Sequence, residues 1–334
     1  MDGNLCKGLV IVGADAKQRF HDTRGYGNPG KGNTIELDPI EAAYLLLRGD
    51  IDSIDEMNFI QFTSTQEEHF FSHFSTYQDL RSRGFFVTPL QKINKHEPHQ
   101  NIDLIVYERG TKPKDGRIKY KIRVVGEHSK ISAMKLGGYL LAIVDDEGEL
   151  TYFNTQKITP IGTNNSTFPH SSGILSNDSV LLIDPDKSLH KIYFFGQELF
   201  GTNHIKISLV EAAYLYNQGS LSIDEDIVKQ GYKTEGDSFK HRLTIYTNLR
   251  DQGLLPKTGF KFGSDFRVYQ NFNKQGEPIH SEYLVKVLEK EHIFSTQEIS
   301  LNVRLAVGVR KRTLFGIAEG NNNIRWILVE RVTP

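Results

Sequence analysis

The chain carries one cysteine, Cys6, so it can form no internal disulfide and no cysteine-rich zinc site. No stretch approaches the ~20 apolar residues of a membrane span. The start, Met1-Asp2-Gly3-Asn4, lacks the basic-then-apolar order of a secretory signal. A cytoplasmic protein with no membrane partner is expected. Neither sign of charge is in excess, since 40 Lys and Arg face 41 Asp and Glu. A strongly basic nucleic-acid binder is thereby excluded, whereas a local basic site is not. The 334 residues, 38% of them hydrophobic, suffice for about two domains, or for one domain present twice.

The second option has direct support, because the chain repeats itself. Residues 38–51 read DPIEAAYLLLRGDI and residues 208–221 read SLVEAAYLYNQGSL, at an offset of 170. After one residue drops out, Ser53-Ile54-Asp55-Glu56 matches Ser222-Ile223-Asp224-Glu225 at an offset of 169. Tyr77-Gln78-Asp79-Leu80-Arg81 then matches Tyr246-Thr247-Asn248-Leu249-Arg250 at the same offset. Three matches in order with one gap point to duplication, and two copies are too few for a solenoid. The expected domains are residues 1–160 and 174–334, with the Asn/Ser/Thr/Pro-rich stretch 161–173 as linker.

Each copy reads as α+β. Short strands are expected around 8–13 and 179–195. A capped helix follows: Asp38, Pro39 and Glu41 start it in copy one and Gly49 ends it, while Ser208, Glu211 and Gly219 do the same in copy two. A second helix is expected at about 65–83 and 238–252. Strands follow at Asp103–Glu108 and Phe262–Gln270. A further helix at 296–308 opens with the box Ser295-Thr296-Gln297-Glu298. Each copy closes with a β-hairpin, Tyr139–Val144 with Leu150–Lys157, and Lys311–Ala318 with Ile324–Val332. The second turn, Glu319-Gly320-Asn321-Asn322-Asn323, supplies residues that tolerate positive φ.

Several motifs carry no chemistry on inspection. Gly25-Tyr26-Gly27-Asn28-Pro29-Gly30-Lys31 fits GxGxxG and nearly fits a P-loop, but Gly32 stands where the magnesium-binding hydroxyl belongs and no helix opens on the motif. A plain turn is expected. His69 and His73 lie four apart on a helix with no third zinc ligand in reach, which suits a solvated face. His96 and His99 fall in a Pro-containing loop.

The C-terminal part of copy two is different. It reads KTGFKFGSDFRVYQ (257–270), EPIHSEYLVKV (277–287) and NVRLAVGVRKR (302–312). Tyr269 ends a strand, His280 follows 11 residues later, and Lys311 opens the last hairpin. Attack of an RNA 2′-OH on its own phosphate needs a proton acceptor, a proton donor for the leaving 5′-oxygen, and positive charge on the phosphorane. Imidazole suits donation near neutrality, and an ammonium stabilises the added negative charge. A phenol is a poor base at neutral pH unless cations such as Lys257, Lys261, Arg304, Arg310 and Arg312 favour its ionised form. Spacing alone does not separate this trio from a satisfied histidine, a half-buried tyrosine and a surface lysine.

The words GFKFGSDFRVY (259–269), HSEYLV (280–285) and VRLAVGVRKR (303–312) resemble archaeal tRNA-splicing endonucleases of the homodimeric type, whose subunit is a fused tandem repeat. The EAAYL and YxxLR signatures of both copies extend the likeness over most of the chain. The resemblance implies that each repeat has a small mixed α/β N-terminal subdomain and a nuclease-like C-terminal subdomain. It implies a catalytic triad at Tyr269, His280 and Lys311. Introns would be excised from precursor tRNA at a bulge-helix-bulge, leaving a 2′,3′-cyclic phosphate and a 5′-hydroxyl, with neither metal nor cofactor. Arg304 and Arg331 match the arginines with which the family grips a bulged base, by stacking guanidinium planes on it.

Copy one departs from this pattern. Tyr107 in LIVY matches Tyr269, but Ile118 stands eleven residues on with no histidine near, and the position of Lys311 falls near Gly137 and Gly138. A scaffold half is expected. Its hairpin tip carries Asp145, Asp146, Glu147 and Glu149, where copy two has one carboxylate. Alone, this reads as a solvated turn. The resemblance implies an acidic plug that enters a basic cleft of the partner in a homodimer. Two other functions compete: a metal-dependent nuclease using Asp265 and Glu282, and a catalytically inactive RNA-binding or assembly subunit.

Overall fold

A computed structural model describes residues 1–13, 15–90, 102–164, 167–270, 280–320 and 323–334. His96, His99, Asn321 and Asn322 lie outside the described residues. The chain forms two compact units. One comprises Met1–Lys130, Gly138–Thr155 and Arg331–Pro334; the other comprises Ile131–Gly137 and Gln156–Glu330. Segment 161–173, read as linker, belongs to the second unit and is held there. The Gly162 and Asn164 amides donate to the Gln252 and Gly253 carbonyls at 2.9 and 3.0 Å. The Gln270 side-chain amide donates to the Ile161 carbonyl at 2.8 Å. From Ser171 the same segment is a strand, Ser171–Ser176.

The architecture is α+β in both units. In the first, strands Gly3–Cys6, Leu9–Val12, Ile35–Leu37 and Asn28–Pro29 form one antiparallel sheet beside the helix Pro39–Leu47. In the second, Gln197–Glu198, Ile205–Ser208, Ser179–Ile183, Ser171–Ser176 and Leu221–Ser222 form its counterpart beside the helix Leu209–Asn217. Both helices start as their sequences dictate. Asp38 and Ser208 each cap the N-terminus, and Glu41 and Glu211 return a carboxylate to the cap amide.

Those two glutamates also do something that no local pattern reveals. Glu41 accepts from the Gly27 amide at 3.1 Å, and Glu211 from the Gly196 amide at 2.9 Å. His21 donates from Nδ1 to the Tyr26 and Gly27 carbonyls, and His190 does the same to those of Phe195 and Gly196. Arg81 lies 4.0 Å over the Tyr26 ring, and Arg250 lies 4.0 Å over Phe195. The GxGxxG stretch is therefore a packing turn whose Gly27 amide is spent on a carboxylate. Burial raises the Glu41 carboxyl to about 7. Gly196 has φ of +50°, and a Cβ there would clash with the Lys206 carbonyl. Gly196→Ala is accordingly expected to cost roughly 2 kcal/mol or more, read as a lower midpoint of denaturant unfolding.

Helices differ from expectation where caps lie outside the repeated words. The helix expected at 65–83 is Phe70–Ser82, beginning after His69 turns with φ of +72°, and a separate helix, Phe59–Ser64, precedes it because Asn58 and Gln61 form a capping box. Copy two adds Ile227–Glu235, capped by Asp226, before Asp237–Asp251. Of the strand region expected around 179–195, the strand ends at Ile183 and a short helix follows at Ser188–Lys191, where the Ser188 amide donates to the Asp186 carboxylate at 2.8 Å.

The C-terminal sheets carry the same strand order in both units. In the second unit it is Leu255–Thr258, Phe266–Tyr269, Tyr283–Glu289, Arg312–Gly320 and Asn323–Val332. In the first it is Val87–Pro89, Leu104–Tyr107, Ile118–Gly126, Tyr139–Val144 and Leu150–Ile158. The third and fourth strands pair in parallel in each case, Tyr283–Glu289 on Arg312–Gly320 and Ile118–Gly126 on Tyr139–Val144, and the other pairs of each set are antiparallel. In copy two the parallel crossover is made by the helix Thr296–Gly308, capped by Ser295. Among the described residues no helix is long and apolar enough to cross a membrane.

Candidate active site

The register of copy two gathers the triad positions at one end of the sheet. Val268 faces Tyr283 on one side, and Tyr283 faces Arg312 on the other. Tyr269 and Lys311 therefore flank Glu282, two interstrand spacings or about 10 Å apart between Cα atoms. The Glu282 amide donates to the Val268 carbonyl at 2.8 Å, and the Arg312 amide to the Glu282 carbonyl at 3.0 Å. His280 stands two residues before Glu282 and is exposed. The Lys311 ammonium donates at 3.2 Å to the carbonyl of Ser281, the residue between them.

Each side chain has a distinct setting. Tyr269 is buried, with its ring 5.5 Å from that of Phe194 and the Arg267 guanidinium 5.9 Å from its centre. Lys311 lies 5.9 Å from the Phe262 ring. Burial lowers the Lys311 ammonium below its ordinary range, and the cations Arg267 and Lys261 add to that, while Glu282 opposes it. Arg312 holds the strand ends in register through Glu330 at 3.0 Å and Glu282 at 3.4 Å. In the sequence Arg312 stands out only as part of a basic field, and neither Phe262 nor Arg267 is marked by a motif. For Arg267, the signal is its period-two relation to Tyr269 in FRVY.

The alternative carboxylate pair does not come together. Glu282 lies at the Tyr269 end of the strand, engaged by Arg312. Asp265 precedes the other end, where it accepts from the Val287 amide at 2.8 Å and faces Lys286. Four residues of strand, roughly 13 Å, separate their levels.

Copy one has the same frame with other residues in it. Val106 faces Tyr120, and Ile122 faces Leu140 across the parallel pair, so Gly137 occupies the level of Lys311. Arg117 occupies the level of His280. A bulge between Val106 and Tyr107 moves this match one residue from Ile118. Gly137 and Gly138 have φ of +107° and +92°.

Arg304 is exposed on the helix Thr296–Gly308, and Arg331 is exposed on the strand Asn323–Val332 within the first unit's C-terminal segment. The acidic tip is a well-bonded turn. Asp145 accepts from the Glu147 and Glu149 amides at 3.0 and 2.8 Å. Asp146 meets His128 at 3.1 Å, and Glu147 and Glu149 are exposed. The His69–His73 pair is tied up locally: His73 Nδ1 donates to the His69 carbonyl at 2.9 Å, and His73 Nε2 lies 3.5 Å from Asp103.

The phenol, imidazole and ammonium positions thus lie at one end of the copy-two sheet. Family comparison makes the class specific. The tRNA intron endonuclease N-terminal domain matches residues 1–64 and 171–231, and the catalytic C-terminal domain of that family matches residues 239–326. Over 344 aligned positions the chain is 43% identical to the tRNA-splicing endonuclease of Haloferax volcanii, with all of both chains covered. Identity to the tRNA-splicing endonuclease of Halobacterium salinarum strain R1 is also 43%, again over all of both chains. Against that of Methanosarcina mazei it is 31%, covering 97% of this chain and 96% of the relative. The chain belongs to the tRNA intron endonuclease family and is an endoribonuclease of tRNA splicing.

Proposed function

We propose that this enzyme excises introns from precursor tRNA at bulge-helix-bulge elements without metal or cofactor, using Tyr269, His280 and Lys311. The 2′-OH beside the scissile phosphate gives its proton toward Tyr269 and attacks phosphorus. The bond from phosphorus to the 5′-oxygen breaks, and His280 protonates that oxygen. Lys311 offsets the charge that builds on the phosphorane. The products are a 2′,3′-cyclic phosphate and a 5′-hydroxyl. The observation carrying this reading is the strand register that brings the levels of Tyr269, His280 and Lys311 to one sheet end. Copy one, with Arg117 and Gly137 at the matching levels, then serves as scaffold. Incubating the pure protein with an intron-containing precursor tRNA in excess chelator tests it: cleavage with cyclic-phosphate ends is expected, and loss of cleavage restored by a divalent ion would overturn it. No cleavage under either condition would instead favour an inactive assembly subunit.

The working form is a homodimer in which the acidic tip of one subunit enters the basic region around the other's active site. Arg304 and Arg331 stack on a bulged base. Arg304→Ala and Arg331→Ala should each weaken affinity or kcat/KM by roughly 5- to 150-fold while leaving the fold intact. Lysine at either position should not rescue, because an ammonium has no plane to stack. Full activity of the lysine variants would reduce these residues to phosphate contacts.

A further inference from the structure

Beside the triad, in the second unit, lies a cavity of about 430 Å³ whose wall includes Lys206, Arg242, Lys257 and Arg267. Its carboxylates are Asp178 and Glu211, and Glu211 is already spent on the Gly196 and Ser208 amides. Arg242 pairs with Glu235. Lys206, Lys257 and Arg267 make no ion pair among the described residues, and the Lys257 ammonium donates to the Gly196 carbonyl. The Nε–H groups of Arg242 and Arg267 are buried without a hydrogen-bond partner among the described residues. Lys257 and Arg267 face each other directly across the strand pair, so their side chains share one side of the sheet. Tyr269, two residues beyond Arg267, shares that side too. Arg267 thus belongs both to the cavity wall and to the surroundings of Tyr269 and Lys311; burial, with Arg267 adding to it, disfavours the ionised form of both lysines, and at Lys257 the Glu211 carboxylate works the other way. Gathering cations in this way is costly unless an anion joins them.

The two copies make a natural control. Strand register and helix alignment place Thr88 at the position of Lys257, Ile105 at that of Arg267, Glu36 at that of Lys206 and His73 at that of Arg242. The cations are present only in the copy that carries the triad. If they served folding alone, the same frame in copy one would need them as well.

Granting the cleavage reading above, on which this rests, we infer that the cavity is a phosphodiester subsite: Lys206, Lys257 and Arg267 hold a non-scissile backbone phosphate of the RNA and so set the strand's register over Tyr269. The chemistry suits this, since guanidinium and ammonium groups donate to phosphate oxygens with charge-assisted hydrogen bonds. A flanking phosphate is also the one group every substrate presents whatever its bases.

The test measures binding of the full chain to a bulge-helix-bulge RNA blocked by 2′-deoxy sugars at the cleavage sites, so it does not require cleavage. Linkages flanking the scissile phosphate are made uncharged methylphosphonates one at a time. In the wild type one linkage should cost about tenfold in affinity. Lys257→Met, which keeps the buried stem, should weaken the all-phosphate RNA by about tenfold and be indifferent to that linkage. It should also flatten the dependence of log affinity on log salt by about 0.7. Lys257→Arg should retain the linkage sensitivity. Lys206→Met, whose side chain is exposed and outside the core, should show the same coupling should Lys257→Met fold poorly. Equal penalties in variant and wild type at every linkage would overturn the subsite. Cleavage of unblocked precursor in chelator reports separately on the parent reading, which stands or falls independently of this outcome.

Discussion

Replacing His280 by alanine is expected to slow single-turnover cleavage of precursor tRNA by roughly 10²–10⁴-fold, the usual range for removal of a proton donor. RNA binding should change little. His280 is exposed, so nothing in the core is lost. The strand that follows it is held independently, by the Glu282 amide on Val268 and by Arg312 between Glu282 and Glu330. The ammonium of Lys311 bonds the Ser281 carbonyl, not the imidazole, and should keep its place in the variant. A cleavage rate within threefold of wild type would remove His280 from the mechanism.

In the proposed homodimer, neutralising Asp145, Asp146, Glu147 and Glu149 together, to Asn and Gln, should shift the enzyme toward inactive monomer. The turn itself should survive. Asp145 uses its carboxylate as acceptor for the Glu147 and Glu149 amides, and an Asn amide oxygen can accept the same bonds. The remaining three carboxylates, exposed at the tip, provide no comparable local bonding except the His128 contact of Asp146. Like charges gathered at one tip repel one another and gain from a cationic partner surface. Attraction of this kind fixes register and speeds association, and salt weakens it. Sedimentation should therefore show dissociation in the variant, and in the wild type at high salt, with cleavage lost in parallel. A fully active dimer at nanomolar concentration would leave the tip a solvated turn.

Much of the fold was legible in the sequence because its signals are local. The capping boxes at Asp38 and Ser208 and the cap at Ser295 mark helix starts within a residue or two, since a cap is chemistry between neighbours two or three positions apart. Duplication was legible because identical words at a fixed offset need no structure to be seen. The triad was legible only through resemblance, as spacings of 11 and 31 residues carry no geometry. Tertiary structure decided the rest. Pairing of Val268 with Tyr283, and of Tyr283 with Arg312, brings Tyr269 and Lys311 to one level, and it separates Asp265 from Glu282 by the length of a strand. Glu41 and Glu211 reach glycine amides 14 and 15 residues upstream, which turns a phosphate-like glycine motif into a packing turn. The cluster of Lys206, Arg242, Lys257 and Arg267 draws on two sheets and a helix. Contacts between residues distant in sequence are set by which strands pair and in what register, and a near-neutral overall charge conceals where the cations meet.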